Sequence, residues 1–180
     1  MTLDPKDAEL FYDLWFPLLD YVNKKHKVNP SIKKMTGAPS VEPKEAKEIA
    51  DYLWTHTSVI DEYLSDNHLS DEHSSIVSSW KKRVSDTFML ERHLKKGSVF
   101  ISVENQQVYM VNGIITSWED MFFFMSLPIM LNATLIPFKD KIISDGLVIP
   151  YSVCFGKGYS SEFKNIYLTA KKNKIIHFSL

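Results

Sequence analysis

The amino-acid sequence predicts an α+β fold: a helical N-terminal half, then a small, strongly bent antiparallel β-sheet or barrel with one or two inserted helices. Two observations carry this reading. Through residue 84, apolar side chains recur at helical spacing. From residue 85 onward the pattern changes to alternation and short apolar runs, punctuated by Gly, Asn and Asp at close intervals. Closely spaced, hairpin-linked strands point to an antiparallel sheet or a small barrel. The expected organisation is a helical region over 1–84 and a β-rich region over 85–180, packed as one compact unit.

Asp4-Pro5 is a helix start, with a capping residue followed by Pro at the first helical position. Leu10, Leu14, Leu18 and Val22 mark the buried stripe of that helix, and Pro17 within it is expected to kink it or shift its start. The basic run Lys24-Lys25-His26-Lys27 ends it, and residues 27–41 read as a loop punctuated by Pro30, Gly37 and Pro39. A second helix is expected from Pro43 to Leu64. Ser70-Asp71-Glu72 opens a third, with a cap and first-turn acids.

Residues 85–94 are read as the first strand, although helical spacing fits part of that stretch. Ser98–Val103 and Val108–Val111 form a hairpin around Glu104-Asn105-Gln106. Ser117-Trp118-Glu119-Asp120 has the spacing of a capping box and starts a short apolar helix through Met125. Ala133–Ile136 is the next strand. Asp145-Gly146, between Lys141–Ser144 and Leu147–Ile149, is the strongest hairpin signal in the chain. Val153–Phe155 is a short strand, Ser161–Lys172 a helix capped by Ser160 or Ser161, and Ile175–Phe178 a closing strand.

The formal net charge is −1 over 180 residues, so the basic surplus of a non-specific nucleic-acid binder is absent. Cys154 is the only cysteine, which rules out an intrachain disulfide and agrees with a reducing, cytoplasmic setting. The N-terminus lacks a basic segment followed by an apolar one, so no signal peptide is expected. The longest apolar run, Met121 through Leu131, is interrupted by Ser126 and Pro128 and is too short to span a bilayer.

Candidate ligand-binding residues cluster in the β-rich half. Asp145, with Lys139 and Lys141 upstream, would put a carboxylate and two cations at a barrel mouth; turn chemistry alone also explains Asp-Gly there. Lys157, in Gly156-Lys157-Gly158, precedes a helix whose free N–H groups suit an anion, but neither phosphate-loop nor dinucleotide spacing is present. His68, Asp71, Glu72 and His73 match no metal-site spacing, and no metal or cofactor is expected. Basic pairs such as Lys95-Lys96 and Lys171-Lys172, with Phe100, Tyr109 and Phe155, would let a small barrel stack bases; a solvated rim over an apolar core explains them equally well.

Phe11–Asn23, Tyr52–Trp54 with Ile60-Asp61, Phe88–Leu94 and Pro137–Gly146 together carry a resemblance. The chain resembles a family of uncharacterised proteins from Gram-positive bacteria, some of which carry a cysteine-rich SEC-C zinc tail. Leu180 ends this sequence without such a tail, so no metal role carries over. The resemblance implies a cytoplasmic protein and supplies no catalytic residue. The expectation is therefore a non-enzymatic binding module for a protein or nucleic-acid partner, with no membrane association. A small hydrolase or transferase, its site at the seam between the two halves, is the alternative.

Overall fold

The computed structural model describes residues 1–36, 41–153 and 155–180. The chain divides into two compact units, Pro5–Lys81 and Met1–Asp4 joined with Lys82–Leu180. The architecture is α+β, with helices first and strands after.

The helical unit contains α1 (Pro5–His26), α2 (Pro43–Thr55), α3 (Ser58–Asp66) and α4 (Asp71–Ser79), followed by a 3₁₀ turn at Trp80–Lys82. Its core is aromatic. Trp15 stacks on Trp54 with centroids 5.4 Å apart and meets Trp80 edge-on at 5.7 Å. α1 runs through Pro17 without a break. Pro17 sits on the exposed face, where the carbonyl it leaves unbonded is open to water. The single helix expected over 43–64 is instead two helices. At the break, Thr55 Oγ1 donates to the Asp51 and Tyr52 carbonyls, and His56 Nδ1 lies 3.0 Å from the Tyr52 carbonyl. The His56 N–H closes the last turn of α2 on the Tyr52 and Leu53 carbonyls, and these side-chain bonds hold Thr55 and His56 at the helix end. Ser70 caps α4 as expected, its hydroxyl accepting from the His73 N–H.

The second unit is built on a six-stranded sheet. Its strands are β1 (Val84–Leu94), β2 (Gly97–Ser102), β3 (Val108–Asn112), β4 (Ile129–Phe138), β5 (Lys141–Ser144) and β6 (Ile149–Pro150). The order is β1-β2-β3-β5-β4-β6, and β1 also pairs with β4, so five strands are linked in a ring. The stretch 85–94 is a strand throughout, bulged between Leu90 and Arg92. The sheet is mixed where an antiparallel one was expected, because β3 and β5 run parallel, Val111 opposite Ile142.

Asp145-Gly146 is not the turn of a hairpin. β5 already has β3 on one edge and β4 on the other, so β6 pairs with β4 instead. β5 is instead joined to β4 by a tight two-residue hairpin, Lys139-Asp140 between Phe138 and Lys141, with Lys139 in the left-handed region at φ 54°. The closing strand expected at 175–178 reduces to one parallel bridge, His177 opposite Tyr109. Cys154 lies outside the described residues, and its neighbours Val153 and Phe155 belong to no strand.

Two helices complete this unit, α5 (Trp118–Met121) and α6 (Lys157–Asn173). α6 starts earlier than expected, with Gly156 as its N-cap; the Ser160 hydroxyl donates to the Gly156 carbonyl rather than capping. Alternate residues of β1–β3 feed two cores. Phe88, Phe100, Tyr109 and Val111 pack with Trp118 and Leu135 on one face. Met89, Ile101 and Met110 pack with Phe163 and Tyr167 of α6 on the other. Both faces are buried, which is why the strands read as near-continuous apolar runs.

Two substitutions test this packing. Phe88→Ala empties a fully buried position that meets Phe100 and Tyr109 edge-on. It should cost about 3–5 kcal/mol in urea unfolding; a loss below about 1 kcal/mol would contradict the core assignment. Gly113→Ala places a methyl 2.1 Å from the Thr116 carbonyl oxygen. That contact is with backbone, so a loss of about 1–3 kcal/mol is expected in the same assay.

Candidate functional site

The most unusual surface lies around the loop that follows α5. Ser117 caps this helix, its hydroxyl accepting from the Asp120 N–H at 3.1 Å. Phe122 is buried and stacks on Trp118 with centroids 6.1 Å apart. Consecutive residues point in different directions on a tight turn, so anchoring Phe122 inward turns its neighbours outward. Phe123 is 73% exposed and Phe124 97% exposed, edge to face at 5.2 Å. Met125 and Leu127 continue the exposed run. The short helix expected to extend through Met125 stops at Met121.

Beside Phe124 is a groove of about 410 Å³, lined by Met125, Leu127, Val153, Phe155 and Ser160 among others. Ile149 and Tyr151 lie exposed nearby, Tyr151 held by its N–H to the Met130 carbonyl at 2.9 Å. Neither Met121–Phe138 nor Gly146–Gly156 contains a charged residue, so the two segments that build this face offer no ionic group. Exposed apolar area of this kind marks contact surfaces.

The four residues expected to bind a ligand do not converge. Lys139 is exposed at the β4–β5 turn, its ammonium 5.9 Å from the Phe138 ring centroid. Lys141 reaches Asp140 at 3.8 Å. Asp145 is at the opposite end of β5, about 13 Å away at strand rise. It is 2% exposed, and its carboxylate accepts from the Leu147 N–H at 3.0 Å, an Asx turn. Lys157 opens α6, and its side chain lies outside the described residues. Phe100 and Tyr109 are core residues, so they present no ring to a base. Among the described residues, no group of three or more His, Cys, Asp or Glu could hold a metal ion. No helix among them is long and apolar enough to cross a membrane.

A hydroxyl–imidazole pair that spacing did not reveal joins two strands. His93 and Ser98 face each other across β1 and β2, Nδ1 to Oγ at 2.8 Å. Burial holds the His93 pKa below its ordinary value, against an opposing pull from Glu119, so the ring is neutral near pH 7. A nucleophile must be reachable, however, and Ser98 is 4% exposed. The pair satisfies buried polar groups between strands. The exposed Phe pair was also missed, though Phe122-Phe123-Phe124 carried the signal: three successive aromatics cannot share one buried face.

The depressed His93 pKa fixes a sign. The folded state binds fewer protons than the unfolded chain, so stability is complete above the ordinary value of 6.5 and declines as pH falls below it. Urea midpoints should therefore drop between about pH 7 and pH 5, and His93→Gln should reduce that drop. An unchanged pH profile in the variant would remove His93 from the account.

Compared with known proteins, the chain matches no family model, no curated protein and no solved structure.

Proposed function

We propose that this protein is a non-enzymatic binding module that docks a protein partner on the apolar face formed by the loop after α5, β6 and the residues leading into α6. The observation that carries the reading is the near-complete exposure of Phe124 beside Phe123, on a loop pinned by the buried Phe122. Fully burying a Phe side chain stabilises by about 1.5–3 kcal/mol, so two such rings give a partner a strong anchor. Aromatic anchors of this type concentrate binding energy at interfaces.

On this face, charge decides between the two partner classes expected from the sequence. Strand phosphates are held by Lys and Arg. Residues 121–138 contain none, and neither do 146–156. An apolar, uncharged face complements an apolar protein surface, and Met125 beside the groove adds a side chain that adapts its shape to a partner.

The double substitution Phe123→Ser/Phe124→Ser tests the proposal. Both side chains are exposed, so the urea midpoint should stay unchanged while partner capture, compared side by side from the native host, is lost. A concentration-dependent dimer abolished by the same change would identify the partner as a second copy. Identical capture by both forms would refute the assignment, as would wild-type adsorption to neutral vesicles in place of protein binding.

A further inference from the structure

We propose that the helical unit binds single-stranded nucleic acid on a lysine-bearing surface made by the end of α1 and the residues that follow it through Lys34. This goes beyond the protein-docking reading and does not rest on it.

Charge in this unit is segregated. Over Pro5–Lys81 there are nine Lys and Arg against thirteen Asp and Glu, yet Lys24, Lys25, Lys27, Lys33 and Lys34 fall in one stretch with no acid between Asp20 and Glu42. Cations in the last turn of α1 complement its dipole. Lys33 and Lys34 lie beyond the helix, where that explanation ends.

The backbone that carries them is fixed. Asn23 is 7% exposed, and its side-chain amide donates to the carbonyls of Asn29 and Ile32 at 3.0 and 2.9 Å. Its carbonyl oxygen accepts from the Asn29 N–H at 2.8 Å. Asp20 accepts from the Met35 N–H at 2.6 Å. The loop is thus hung on two side chains of α1. Lys25 is occupied by Glu62 at 2.6 Å, Lys34 neighbours the Asp20 carboxylate, and Glu48 reaches the Asn29 side chain at 3.3 Å. Lys24, Lys27 and Lys33 are exposed, and no acid lies within ion-pair distance of them among the described residues.

Three rings in contact include the residue between Lys25 and Lys27, and the last of them, His56, is exposed. His26, between Lys25 and Lys27, lies against the Tyr52 ring with centroids 4.9 Å apart, and Tyr52 stacks on the exposed His56 at 4.2 Å and 20°. Cations that follow a phosphate backbone beside rings that take bases make the chemistry of a single-strand site. A lipid surface would require apolar side chains to insert. Among the described residues, the helical unit exposes no large apolar side chain.

The test is fluorescence anisotropy of the full chain with labelled oligo(U) and oligo(dT) of about 20 nucleotides, long enough for one site. Both strands should bind at about 50 mM salt, with a log–log salt slope of about −2 for three phosphates. A duplex of the same length should bind more weakly. Lys24→Gln/Lys27→Gln/Lys33→Gln should weaken binding at least about tenfold and flatten the slope. His56→Ala should weaken it several-fold and leave the slope unchanged, since stacking releases no counterion. Phe123→Ser/Phe124→Ser should have no effect, which keeps failure here distinct from failure of the protein-docking reading. The proposal is overturned if neither strand binds, if the triple variant binds as wild type does, or if anionic vesicles are bound in place of the strands.

Discussion

β1 is hydrogen-bonded along both edges. It pairs with β2 from Phe88 to Leu94 and with β4 from Val84 to Leu90, so Phe88, Met89 and Leu90 have a neighbour on each side. This double pairing links five strands in a ring and leaves few open backbone edges. The bulge between Leu90 and Arg92 comes where the pairing with β4 ends and β1 continues with β2 alone. Both cores hang on β1: Phe88 and Leu90 enter one and Met89 the other.

The same constraint determines where function can reside. Hydroxyls and carboxylates on and beside the strands are consumed by local hydrogen bonds. Ser98 pairs with His93, Ser102 donates to Asp86, and Asp145 closes an Asx turn. The surface left for a partner comes from segments outside the ring pairing, above all the loop after α5. Its uncharged apolar side chains contrast with the surface of the helical unit, where Lys24, Lys27 and Lys33 are exposed and the rings beside the lysine run are His26, Tyr52 and His56. The two candidate surfaces therefore suit different chemistries: apolar burial in one, phosphate neutralisation with stacking in the other.

Helix and strand were legible wherever local periodicity was strong. α1, α4 and β1 to β3 follow from the spacing of their apolar residues, and Ser70 and Ser117 were readable as caps. The division of 43–66 into two helices was not, because it lies in the backbone of His56, which leaves the helical region at φ −129° and ψ 57° without a Gly or Pro to mark it. The Asp145-Gly146 signal was sound as turn chemistry, with Gly146 at φ 83°, but it gave the wrong strand pair. Turn residues define where a chain bends; they carry no information about which edges are already filled.

The sequence by itself determined the order of helices and strands, the absence of charge from 121–138 and the lysine run at 24–34, since composition and periodicity are properties of the chain. Tertiary structure alone decided the parallel β3–β5 link, the separation of Lys139 and Lys141 from Asp145, and the inward turn of Phe122 that exposes Phe123 and Phe124. The physical reason is the same in each case. Strand pairing and burial depend on residues distant in the chain competing for one edge or one cavity, and local sequence cannot say which of them wins.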